Sequence, residues 1–97
     1  MPKILNDAER AAALATLPGW RICGDRDAIE KTFLFTDFAE AFGVMARIAV
    51  TAEGMNHHPE WFNVYSRLHV VLSTHEAGGV TSRDIALAEA FEAAVRK

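Results

Sequence analysis

"TDFAEAFGVMARIAVTAEG", residues 36–54, is the stretch that decides the fold. Asp37, followed three residues later by Glu40, makes a capping-box pattern, so a helix should begin here. Phe38, Ala41, Phe42, Met45, Ile48, Ala49 and Ala52 recur at the helical period and predict one apolar stripe facing a core. Gly54 supplies the expected stop. A helix of this kind needs an apolar surface to cover, and its flanks provide one.

Upstream, "AIEKTFLF" at 28–35 alternates. Ile29, Phe33 and Phe35 share one face, while Glu30 and Thr32 share the other, so a half-buried strand is expected. Lys31 interrupts the apolar face and should sit near the strand's open end. Trp20–Cys23 reads as a partner strand that turns through "GDRD", which makes a hairpin. Before it, "PG" at 18–19 ends an Ala-rich helix with Asn6 as N-cap and Glu9 as its reciprocal partner.

Downstream, residues 61–65 and 68–75 read as two more strands. A last helix opens at Thr81 with Asp84 at its third position, turning Ile85, Ala88, Phe91 and Val95 inward. Glu92 and Arg96 are spaced for an i,i+4 pair on its outer side. The expected fold is therefore α+β, in the order α-β-β-α-β-β-α, with a four-stranded antiparallel sheet and helices on one face. One domain should cover residues 1–97. Open sheet edges in such a fold invite self-association.

Composition narrows the function classes. A chain of 97 residues, 51% hydrophobic and with a net charge of −3, has no basic footprint, which argues against direct nucleic-acid binding. The single cysteine, Cys23, excludes an internal disulfide and suits a small buried hydrophobe. With no stretch of transmembrane length and no leader-like N-terminus, a soluble, cytoplasmic protein without a membrane partner is expected.

The chemistry concentrates in the histidines at 57, 58, 69 and 75. His69 falls in mid-strand and reads as part of the polar sheet face. His57 and His58 follow the long helix, and His75 precedes the turn "AGG", so both lie at element ends where working residues are commonly held. Adjacent residues of an extended chain point apart, which makes His57 and His58 poor partners for one metal ion; no ligand spacing calls for a metal. Imidazoles titrate near neutrality and can donate and accept protons around a small polar pocket. No serine or cysteine occupies a nucleophile motif.

Taken as one string, "EGMNHHPEWFNVYSRLHVVLSTHEAGGVTSRD" at 53–84 resembles the pterin-4a-carbinolamine dehydratase family. Glu53, His57, His58, Pro59, Tyr65, His75 and Asp84 meet that family's signature at its spacings. The likeness extends to "GW" at 19–20, "DAIEKTFLFTDF" at 27–38 and "AFGVMARIA" at 41–49. Asn56 departs from relatives that carry an acid there.

The resemblance implies a hydro-lyase that converts 4a-hydroxytetrahydropterin to quinonoid dihydropterin and water, without metal or bound cofactor. It would support recycling of the pterin used by aromatic amino-acid hydroxylases, with a functional link to phenylalanine hydroxylase. By position, it assigns His57 and His75 to acid–base catalysis and His58 to holding the pterin. Pro59 falls in the signature beside them. Glu53 and Asp84 would orient imidazoles or accept pterin N–H groups, Thr74, Glu76 and Ala77 would line the pocket, and Arg83 would close one side. Asp84 has a second reading as the cap of the last helix, and Trp61 reads as packing beneath the pocket. The resemblance also implies a homodimer or homotetramer. An alternative role is a helix-binding coactivator or dimerisation module, using the outer side of the long helix (Gly43, Arg47, Val50 and Thr51).

Overall fold

The computed structural model describes residues 2–96, so Met1 and Lys97, the ends of the expected domain, lie outside it. The chain runs through α1 (Asp7–Leu14), β1 (Arg21–Ile22), β2 (Ile29–Leu34), α2 (Phe38–Met55), β3 (Glu60–Val64), β4 (Arg67–Leu72) and α3 (Ser82–Val95). The strands form one antiparallel sheet in the order β1-β2-β4-β3. This is the α+β architecture that the sequence pattern predicts.

Register sorts the two faces. Ile29 opposes Leu72 and Phe33 opposes Leu68, so these side chains meet on one face, where α2 and α3 add Val44, Ile48, Leu87 and Phe91 to the buried core. Trp20 and Phe33 each lie against Phe91, and half-buried Trp61 meets the same ring edge-on. The opposite face has no helix over it: His69 is held between Thr32 Oγ1 (2.8 Å) and Glu30 Oε1 (3.1 Å), beside an exposed Phe62.

Four local expectations need correction. On α2 the buried positions are Ala41, Val44, Ile48 and Ala52, whereas Phe38, Phe42 and Ala49 face outward. Three of the stripe's residues thus belong to a second, exposed apolar face that shares the helical period. The helix also runs past Gly54 to Met55, and the left-handed cap is Asn56 at φ 53°. The last strand stops at Leu72, so His75 is not on it.

The expected Glu92–Arg96 pair does not form. Glu92 instead turns inward, where Oε2 accepts from Lys31 Nζ (2.7 Å) and Trp20 Nε1 (2.9 Å). Lys31 points into the apolar face, above the Phe33 ring, and also donates to the Pro18 carbonyl at 2.7 Å. A half-buried ammonium needs a counter-charge far more than an exposed helix pair needs its partner. Gly19 lets Lys31 pass: it sits at φ 81°, and a Cβ there would lie 3.0 Å from Lys31 Cε.

Candidate active site

The site begins where α2 ends. Asn56 in the left-handed conformation reverses the chain, and His57 N then closes the helix end on the Ala52 carbonyl at 3.0 Å. The neighbouring side chains consequently diverge. His57 is buried and turns inward, while His58 is exposed and meets Glu53 Oε1 at 2.9 Å, one turn back on α2.

His57 Nε2 lies 2.6 Å from Oδ1 of Asp84, a fully buried carboxylate at the start of α3. The other oxygen, Oδ2, accepts from Thr81 N (2.9 Å) and from Thr74 Oγ1 (2.8 Å). The Thr74 and Thr81 hydroxyls meet at 2.7 Å, completing a buried network. Asp84 therefore caps α3 with one oxygen and holds His57 with the other. Among the described residues no buried side-chain nitrogen or oxygen lacks a partner. Among the described residues the His57 ring bonds through Nε2 alone, so Nδ1 is the nitrogen that reaches the surface.

His75 occupies the turn after β4, which Thr74 and Gly79 close through Thr74 N to Gly79 O (3.0 Å), with Gly78 at φ 83°. Its Nε2 lies 3.0 Å from Oε2 of Glu60, the first residue of β3. Arg26, in the β1–β2 loop, grips the same carboxylate with both guanidinium nitrogens, at 2.7 and 2.8 Å. The Arg26 hydrogen bond, then that of His75, holds the Glu60 carboxyl down at about 2. The Arg26 guanidinium is raised in turn, first by its bond to Glu60. Nearby Cys23 is buried, and burial pushes its thiol up, away from the reactive thiolate.

These groups surround a cleft of about 400 Å³, walled by residues 56–60 on one side and by Ser73, His75 and Glu76 on the other. A larger hollow of about 720 Å³ lies between the end of β2, α2 and the C-terminus of α3, but it contains no histidine. The smaller cleft holds the imidazoles, each tethered through Nε2 to a different carboxylate.

Most of the candidate residues gather here. His57, His58, Pro59, His75 and Glu76 line the cleft, with Glu53 beside His58 and Thr74 and Asp84 behind His57. Arg83 Nη1 reaches Glu76 Oε1 at 2.9 Å, on the rim. The Ala77 N–H is taken up by the Thr74 carbonyl (3.1 Å), so that donor belongs to the turn. Sequence reasoning missed Arg26 and Glu60. Glu60 stands two residues after His58, yet no spacing rule links it to an arginine thirty-four positions away.

Residues 3–94 match the family model described as pterin 4 alpha carbinolamine dehydratase. A protein of Rhodopseudomonas palustris (strain BisB18), provisionally named a pterin-4-alpha-carbinolamine dehydratase, is 59% identical over 93 residues, covering 96% of this chain and 92% of its own. One of Nitrobacter winogradskyi with the same name is 56% identical over 97 residues, covering 100% and 96%. The crystal structure of a transcriptional coactivator/pterin dehydratase from Brucella melitensis superposes with a TM-score of 0.95 at 45% identity, covering 97% of this chain and 100% of that one. The chain belongs to the pterin 4 alpha carbinolamine dehydratase family.

Proposed function

We propose that this family member dehydrates a 4a-hydroxytetrahydropterin to the quinonoid dihydropterin, with His57 and His75 transferring the protons. The observation that carries the reading is the placement of these two imidazoles on one cleft, each with Nε2 occupied by a carboxylate. An imidazole held in this way keeps a defined face for proton transfer, and its carboxylate stabilises the imidazolium when it forms.

In the reaction, the ring nitrogen beside C4a drives out the hydroxyl as the C4a–O bond breaks. One imidazolium of the pair gives its proton to the departing oxygen, which leaves as water. The other imidazole takes a ring N–H proton, so the protein gains one proton and loses one. His58, exposed on the cleft wall and backed by Glu53, is suited to holding the pterin. Glu76, with Arg83 behind it, offers an acceptor for pterin N–H groups on the other wall.

The test is direct. His57→Ala combined with His75→Ala should reduce turnover of the carbinolamine by several orders of magnitude, since each positioned acid–base group contributes roughly 10²–10⁴-fold. Near-native turnover in the double variant would sink the reading. Cleared lysates of cells that carry a pterin-dependent aromatic amino-acid hydroxylase would then show whether cofactor recycling, the role the family suggests, slows without this protein.

A second reading draws on α2, which leaves Phe38, Phe42 and Val50 exposed, at 48%, 55% and 76%. An apolar helix face of this kind suits packing against another helix, either a second copy in a homodimer or homotetramer or a regulatory protein. It is compatible with catalysis, because the face does not include the cleft histidines.

A further inference from the structure

The geometry points to Arg26 and Glu60 as positioning residues for His75: a guanidinium–carboxylate–imidazole relay that sets which ring nitrogen His75 turns to the cleft. This rests on the proton-transfer role proposed for His75 and goes beyond it by naming what holds that imidazole.

His75 needs such a device more than His57 does. Its side chain is 73% exposed on a turn, whereas that of His57 is 7% exposed and wedged against a buried carboxylate. An exposed imidazole with no tether samples several rotamers and both tautomers, so fixing it costs entropy that a contact must offset. Glu60 Oε2, at 3.0 Å, is the only hydrogen-bond partner of the His75 ring among the described residues.

Glu60 would itself be free to swing if it were not gripped. Arg26 engages both of its oxygens in a fork, which fixes the carboxylate plane as well as its position. The pair is about two-fifths exposed on each side, and an exposed ion pair contributes no more than about 1 kcal/mol to stability. Its geometric consequence is the larger one. With Glu60 ionised across the physiological range, the carboxylate only accepts, so the proton of neutral His75 resides on Nε2 and Nδ1 is left for the substrate.

The relay joins three separate parts of the chain: the β1–β2 loop, the first residue of β3 and the turn after β4. Other charged and titratable groups stand around His75. Glu76 is its neighbour in the chain, with Arg83 behind it, and His57 and His58 stand on the other wall of the cleft. Cys23 and Asp25 lie close to Arg26.

The test is nitrogen-15 NMR of the imidazoles in the full chain, together with turnover of 4a-hydroxytetrahydropterin. Neutral His75 should be predominantly the Nε2–H tautomer, and Glu60→Ala and Arg26→Ala should each shift it toward a mixture. The same substitutions should lower kcat roughly 10-fold with KM little changed, comparable to the 10–100-fold lost when the carboxylate behind a metal-bound imidazole is removed. Arg26→Lys should restore part of the rate. In a His75→Ala background, Glu60→Ala should have no further effect.

An unchanged His75 tautomer in both alanine variants would overturn the relay, as would an equal loss from Glu60→Ala with and without His75. If Glu60→Ala fails to fold, Arg26→Ala carries the same comparison, because it releases the Glu60 carboxylate without removing it. If His75→Ala alone keeps native turnover, the proton-transfer reading falls, while the tautomer measurement still decides the relay.

Discussion

At the scale of single residues, Asp84 shows how one side chain can satisfy two readings. Its position three after Thr81 marks it as a cap, and the cap forms, but the second oxygen is what reaches His57. Asp84→Asn tests the division. The amide can still accept from Thr81 N, but it then offers an N–H to His57 and forces the wrong tautomer. Turnover should fall at least about 100-fold, toward the ~10⁴ that a misplaced imidazole proton costs in a Ser-His-Asp triad, with the melting curve showing a folded protein. Glu60 makes a prediction about pH. Its carboxyl falls from an ordinary 4.5 to about 2 on folding, so folding favours the ionised form. The stabilisation is complete above about pH 4.5 and is lost as pH drops toward 2. Glu60→Gln lacks it, so the difference in Tm between the native chain and this variant should be constant above pH 5 and close up near pH 2. The capping role of Asp84 was legible because capping is local in sequence. The Arg26–Glu60 contact was not, because nothing local encodes a pairing between a hairpin loop and a distant strand.

At the scale of elements, boundaries came through well wherever a cap marked them: Asn6 with Glu9, Asp37 with the Glu40 N–H, and Thr81 with Asp84 all open helices. The end of α2 did not, because Gly54 is the commoner terminator and Asn56 takes the left-handed position instead. Asn56→Ala should therefore destabilise the fold by about 1 kcal/mol, because alanine lacks the short polar side chain with which Asn tolerates the left-handed conformation, whereas Asn56→Gly should be close to neutral. Urea denaturation of the two variants decides it, and equal losses would show that the Asn side chain, not the backbone angle, is what matters. The face of α2 was misread for a different reason. Periodicity reports that residues share a side of a helix, and here two apolar sides overlap: Ala41, Val44 and Ile48 meet the sheet, while Phe38, Phe42 and Ala49 do not. Composition cannot say which side the sheet will occupy.

At the scale of the whole molecule, the four-stranded antiparallel sheet with its helices followed from the order of patterns, whereas the strand order, which sets β2 beside β4, was not legible, because no local signal says which edges of two hairpins will meet. What the chain leaves uncovered was less legible. Phe38 and Phe42 lie with ring centroids 5.7 Å apart, tilted at 43°, on the outside of α2, and that exposed pair is the basis for the proposed self-association. Phe42→Glu should reduce the solution mass measured by light scattering while leaving the dilute-solution Tm little changed. A native chain that is monomeric at all concentrations would remove the self-association reading. Trp20, buried and bonded to Glu92, gives a fluorescence signal for the docking of α3 on the sheet.

That docking has a kinetic consequence. The Asp84 that caps α3 also holds His57, at the far end of α2, so the helix start and the imidazole's orientation are completed by one contact between segments 27 residues apart. With His57 in the proton-transfer role proposed for it, competence cannot precede the arrival of α3. In a refolding experiment, enzymatic activity should therefore return with the same rate constant as the Trp20 signal, which makes the reaction a clock for the last long-range step of folding.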